Sequence, residues 1–223
     1  FATLFNIPLV IYGEHPAEYG DRLEEAFDPC MKEKYYVLEN KIDDLLLSGM
    51  PAKKILMDYK LRKSDMNPYL PIEPKKIKDL ELKVHHFSYY INWDPQENYY
   101  FAVNRAGFKG NTERSQGTYS KYSSIDDKLD PFHYFTTLIK FGIGRATYDS
   151  SQEIRNDKIT REEGVALVKK YDLEFPTKYF DEILEYMNIS KDSFWEVIDK
   201  NRSPHLWKKN TSGWELLHQV TNK

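Results

Sequence analysis

Cysteine is nearly absent. Cys30 is the single one in 223 residues, which excludes an internal disulfide framework and a cysteine-built zinc site. No apolar run approaches the roughly 18 residues of a membrane span, and the start shows no secretory leader pattern, so a cytoplasmic protein is expected. An excess of one charge sign is lacking too. The formal net charge of −3 argues against a broad field for nucleic acid or membrane, so any phosphate affinity must be local. GxSxG, P-loop, GxGxxG and HExxH patterns do not occur, and the six histidines show no metal-ligand spacing. Repeats and low-complexity tracts are missing as well. What is present is globular: 40% hydrophobic and 15% aromatic residues, with 17 tyrosines and 12 phenylalanines, enough for a sizeable core.

Residues 1–5 read as the end of a core helix, cut in mid-fold. The run Pro8-Leu-Val-Ile-Tyr12 has no polar alternation and predicts a strand buried on both faces, and nothing else in the first seventy residues reads that way. Beyond it, Glu14-His15-Pro16-Ala17-Glu18-Tyr19-Gly20 forms a loop where open α/β sheets bind ligands. Glu14 and Glu18 suit a hydroxyl, an amine or a magnesium-bound phosphate; the alternative is a solvated loop. Residues 36–48 carry helical spacing closed by Gly49, and Pro51 opens a helix over 51–62. Pro68, Pro71 and Pro74 mark a connector. Residues 82–93 predict a strand, after which Asp94, Pro95 and Glu97 supply the cap, first-turn and N3 signals of a helix.

A glycine- and serine-rich loop follows, and Asp130-Pro131 opens a helix predicted over 131–155. At 100° per residue, His133, Thr137, Lys140, Gly144, Thr147 and Ser151 share one narrow stripe flanked by apolar and aromatic residues. Such a stripe suits a cleft wall with Lys140 reaching in; helix-packing glycines and a snorkelling lysine are the alternative. Arg145 stands apart, near Tyr134 and Tyr148, where cation–π packing is the modest reading. Asp126 and Asp127 suit a metal or sugar hydroxyls, or else form a capping turn. Thr160 with Glu163 is a capping box. Two short helices follow, the second started by Ser190, and Asn210-Thr-Ser-Gly213 signals a terminal hairpin. Cys30 reads as an ordinary core thiol.

In order along the chain, "IPLVIYGEHPAEYG", "SQGTYSKYSSIDDKLDPFHY", "IKFGIGRATYDSSQEIRNDKITREEGVALVKKYD" and "FWEVIDKNRSPHLWKK" closely resemble the N-acetyl sugar amidotransferase family of bacterial O-antigen synthesis and flagellin glycosylation. The "DDK" of the middle loop looks most like its pseudaminic-acid branch. The resemblance implies conversion of a sugar acetamido group to an acetamidino group. ATP, with Mg²⁺, activates the amide oxygen by adenylylation, and ammonia drawn from glutamine by a partner glutaminase displaces AMP. The family's N-terminal half carries cysteine pairs and an SGGKDS-type loop, and this chain has neither. The resemblance therefore implies only a C-terminal part, inactive toward ATP by itself. The expected fold is the end of an ATP-pyrophosphatase-like parallel sheet (1–30), an α/β remnant, followed by a mainly helical domain with a small terminal hairpin (31–223). Lys140 is the expected catalytic cation, and Glu14, Glu18, Tyr19, Asp126, Asp127, His133 and Arg145 are the expected substrate-binding residues. The expected partners are an amino sugar, free or nucleotide-linked, the glutaminase, and a second copy of the chain. A non-catalytic helical module that docks the glutaminase or binds a sugar nucleotide is the competing reading.

Overall fold

The computed structural model describes residues 1–15, 27–37 and 45–220. Two compact units divide the chain, Phe1–Trp93 and Asp94–Lys223. The expected division into 1–30 and 31–223 concerns correspondence with a larger fold and stays a proposal.

In the first unit the regular elements are β1 (Leu9–Tyr12), β2 (Leu46–Leu47), β3 (Met50–Pro51), α1 (Ala52–Asp58), α2 (Pro74–Leu80) and β4 (Lys83–His86). β1 pairs in parallel with β4, Leu9 opposite Lys83 and Tyr12 opposite His86. This pair is the α/β part of the expected class; a larger nucleotide-binding sheet is not among the described residues. Val37, Ile77 and Leu82 form a small core, with Val10 packed against it. Leu9, Ile11 and Tyr12 are 48, 52 and 49% exposed, so β1, whose unalternated sequence suits burial on both faces, keeps its apolar side chains partly uncovered. The expected helix over 36–48 is corrected at its end. Ser48 and Gly49 have φ of +50° and +78°, which makes them the two-residue turn of the β2–β3 hairpin rather than a helix stop. Residues 38–44 of that segment lie outside the described residues.

The second unit is mainly helical: α3 (Pro95–Ala106), α4 (Asp130–Phe141), α5 (Arg145–Arg155), α6 (Arg161–Tyr171), α7 (Phe180–Met187) and α8 (Lys191–Lys200) precede the hairpin of β5 (Trp207–Asn210) and β6 (Gly213–Leu216). Three caps fall where the sequence places them, whereas Asp130, expected as the cap before Pro131, is the first residue of α4 behind Leu129, which makes no side-chain cap bond. Asp94 accepts from the N–H groups of Gln96 and Glu97, Thr160 and Glu163 complete a capping box, and Ser190 accepts from Ser193. The core joins Phe132, Phe135, Leu138 and Ile139 of α4 to Phe180, Ile183, Leu184, Phe194 and Ile198, and to Trp207 and Leu216 of the hairpin. Phe175 sits among them, its ring 4.9 Å from those of Phe135, Phe180 and Trp195. The Trp207 indole N–H donates to the Ile139 carbonyl at 2.8 Å, so the hairpin is fixed by a polar bond as well as by area.

The single helix expected over 131–155 is corrected to two. Gly142 takes the left-handed conformation (φ +73°) that ends α4. Two residues on, Asp172 caps the start of α5 from a distant part of the chain. Its carboxylate accepts from Gly144 N–H at 3.1 Å, Thr147 N–H at 2.9 Å and the Thr147 hydroxyl at 2.9 Å. Burial pushes the Asp172 carboxyl up, against these bonds. A Cβ on Gly144 would lie 2.6 Å from Asp172 Oδ1 and 2.7 Å from its backbone oxygen, so only glycine fits. Gly144→Ala is expected to destabilise the unit by about 2 kcal/mol or more, within the range of overpacking plus a lost cap. Thermal unfolding by circular dichroism checks this, and Gly107→Ala, which meets nothing within 4 Å, separates the clash from the effect of φ.

Candidate functional site

The second unit holds a cleft of about 870 Å³ between the loop that precedes α4 and the segment that follows α6. Its walls carry the rings of Tyr119, Phe132, Tyr171 and Tyr179, and its rim carries Asp126, Asp127, Lys121, Lys128 and Lys178.

A bidentate ion pair ties the two walls together. Arg114 Nη1 and Nη2 donate to the two Glu174 carboxylate oxygens at 2.6 and 2.7 Å, and the guanidinium lies 4.6 Å from the centre of the Tyr171 ring. Arg114 also donates to the Thr118 carbonyl at 3.1 Å, and Glu174 accepts from Gly117 N–H at 2.8 Å. Gln116 adds two bonds, to the Thr177 hydroxyl and from Lys178 N–H. The loop is therefore held in one shape against the segment 171–179. The hydrogen bond from Arg114 holds the Glu174 carboxyl below the ordinary glutamate range.

Behind the loop lies Arg145, buried with a side chain 10% exposed. It donates from Nη1 to Asp130 Oδ2 and from Nε to Asp149 Oδ1, both at 3.0 Å, and from Nη1 to the Ser124 hydroxyl at 3.3 Å. Its guanidinium sits 4.0 Å from the Tyr134 ring centre, and Tyr134 meets Tyr148 edge-on, so the cation–π reading of the sequence holds. The Thr118 hydroxyl donates to the Asp149 carboxylate. Burial pushes the Asp149 carboxyl up, opposed by the charge of Arg145 and by the Thr118 bond. Burial likewise raises Glu153, and raises the hydroxyls of Tyr119 and, to about 12, Tyr122, with Glu153 adding to both.

The expected site residues separate. Asp126 and Asp127 line the cleft, and Asp127 also accepts from Leu129 N–H at 2.7 Å, so it is both rim and turn. Arg145 does not line the cleft; it bonds to Ser124, which does. Glu14 belongs to the first unit, its side chain exposed and its carbonyl 2.9 Å from His86 Nδ1. Glu18 and Tyr19 lie outside the described residues. The cleft-wall stripe is corrected. His133 and Lys140 lie on the exposed side of α4, opposite its core face, with Thr137 half-buried between them, and the Lys140 ammonium rests 5.3 Å from the Phe141 ring. The hydroxyls that suggested a ligand are used within the protein instead, Thr137 on the His133 carbonyl, Ser151 on that of Thr147, and Thr147 on the Asp172 carboxylate. Arg114, Glu174, Tyr171 and Tyr179 were missed; the one signal was an arginine inside a loop of small residues.

Two outcomes follow from the ion pairs. Arg145→Met leaves Asp149 and Asp130 without their cation, and a loss of about 3 kcal/mol or more is expected, read from urea unfolding. For Glu174 the folded value is depressed, so its ionised form adds stability that is present above the unfolded value and lost as pH falls through the folded one. Stability of the wild type should therefore drop more steeply below about pH 4 than that of Glu174→Gln, as measured by urea midpoints across pH.

Residues 116–221 match a family model described as the C-terminal domain of LPS biosynthesis protein WbpG-like proteins. No curated protein matches the chain.

Proposed function

We propose that the chain serves bacterial surface-glycan biosynthesis as part of an N-acetyl sugar amidotransferase, and that the cleft of the second unit takes the acetamido sugar. The place of the cleft carries this reading. Most of its lining falls inside residues 116–221, the segment similar to the LPS-biosynthesis domain. Its chemistry supports the same reading. Aromatic faces offer apolar area to a sugar ring, and the exposed carboxylates of Asp126 and Asp127 accept hydrogen bonds from hydroxyls. The cleft's cations are largely spent within the protein, Arg114 on Glu174, Lys128 on Glu182 and Lys178 on Glu113, which suits a polyhydroxylated ligand better than a highly charged one.

The proposed reaction turns the acetamido group into an acetamidino group. An amide carbonyl is a poor electrophile, and ATP would supply the activation that makes it accept ammonia from a glutaminase partner. The described residues do not fit ATP or Mg²⁺. The sequence has no glycine-rich phosphate loop, and among the described residues no group of three His, Cys, Asp or Glu side chains is placed to hold a metal. No step through ATP is assigned to residues of this chain. Their part is to bind and orient the sugar, and Lys140, outside the cleft, is given no role in it.

Saturation-transfer NMR with free and nucleotide-linked N-acetyl amino sugars tests the reading. Transfer to the acetamido methyl group is expected. Asp126→Asn with Asp127→Asn should weaken binding by about 10-fold, as loss of charge-assisted hydrogen bonds does. The melting temperature should hardly change, since both side chains are exposed. No transfer in the wild-type chain would overturn the sugar assignment.

A further inference from the structure

A second constellation lies in the first unit, independent of the cleft and of the sugar reading. Cys30 and His85 stand opposite each other in an antiparallel bridge along β4. Met31 N–H donates to the Val84 carbonyl and His86 N–H to the Pro29 carbonyl, so the backbone bonds flank the pair rather than join it. This is the non-hydrogen-bonded register, the one that brings facing side chains closest. Cys30 Sγ accordingly lies 3.3 Å from His85 Nε2. The other ring nitrogen, Nδ1, is 2.5 Å from the Tyr90 hydroxyl, and the two rings stack at 11° between planes. A nucleophile, a base and a group that orients the base are thus contributed by three places in the chain.

We infer that Cys30, His85 and Tyr90 form a nucleophilic thiol site that exchanges with small disulfides. With Nδ1–H donated to the phenol oxygen, Nε2 is left as an acceptor for the thiol proton. After transfer, the imidazolium donates from both nitrogens, to the thiolate and to Tyr90, so no side chain need move. The thiolate attacks one sulfur of the disulfide, the new Sγ–S bond forms as the old S–S bond breaks, and the departing thiolate takes the proton from His85 Nε2. One disulfide is consumed and one is made, with no outside oxidant. Displacement at sulfur needs only a thiolate, access and a proton for the leaving group, all of which the constellation supplies. Acyl transfer would need an oxyanion site in addition. Cys30 is partly exposed, as access requires, whereas a core thiol would be sealed.

The test uses 5,5′-dithiobis(2-nitrobenzoate) on the 223-residue chain at pH 6.5, where an ordinary thiol is almost wholly protonated. As Cys30 is the single cysteine, the signal has one source. Native Cys30 is expected to react at least ~10-fold faster than the same thiol in urea, as activated thiols do. His85→Gln should abolish this advantage and Tyr90→Phe should reduce it several-fold, with thermal unfolding confirming that each variant folds. Oxidised glutathione should give one mixed disulfide by intact mass. If His85→Gln fails to fold, Tyr90→Phe decides, because it removes a hydroxyl alone. A native rate no faster than the unfolded one, or a Tyr90→Phe variant as fast as wild type, overturns the inference.

Discussion

Arg145 has its charge shared between two carboxylates and its plane laid on a tyrosine, and the second unit is arranged around it. Asp130 begins α4, Asp149 lies one turn along α5, and Ser124 belongs to the loop in front. Through Asp149 the same network takes in Thr118, and hence the part of the loop that Arg114 holds from the other side. Taking a guanidinium and two carboxylates out of water costs several kcal/mol per ion before their attraction is counted, so such a network stands only where the geometry is closed. Here it is closed by hydrogen bonds on each partner. The result is a loop without helix or strand that nonetheless has one conformation, as a binding wall requires.

The break between α4 and α5 serves the same end. A continuous helix would carry Arg145 past Asp130 at a fixed angular step. The turn at Gly142, with Asp172 capping the new helix, allows α5 to leave in its own direction. The aromatic core around Phe175 then packs α4, α7 and α8 on the side away from the polar network. One face of α4 is thus dry and its N-terminal end is ionic, and the cleft opens where the two meet, at Pro131 and Phe132.

In the first unit a different constraint acts. A strand pair with little of its own core holds its chemistry by backbone register. The bonds on either side of Cys30 and His85 leave their side chains no choice of neighbour. Tyr90 follows one 3-10 turn later, over Phe87–Tyr89, which returns it to the histidine ring. Precision here comes from the peptide ladder rather than from burial.

Short-range features were legible in the sequence because the interactions that make them span only a few residues. The caps at Asp94, Thr160 and Ser190 and the terminal hairpin bond within a turn of themselves, so their residue types announce them. The mainly helical character of residues 94–220 follows from the same local signals. Asp126 and Asp127 were found as a loop pair, and the aromatic contact of Arg145 was read from spacing along one helix face. The cleft was not legible. Its walls are joined by Arg114 and Glu174, 60 residues apart, and the helix break depends on an aspartate 28 residues beyond the glycine that it caps. By spacing alone Gly142 and Gly144 continue one helix, because residue spacing says nothing of a carboxylate arriving from elsewhere in the chain. The same limit hid the pairing of Cys30 with His85, which lies 55 residues away and is chosen by strand register. The sequence by itself determined the local caps and turns, since those bonds span a few residues; where α4 stops and α5 starts, which charges meet, and so where a ligand can sit, were decided by tertiary structure, since a distant cap and each buried ion depend on a partner that only the folded chain brings near.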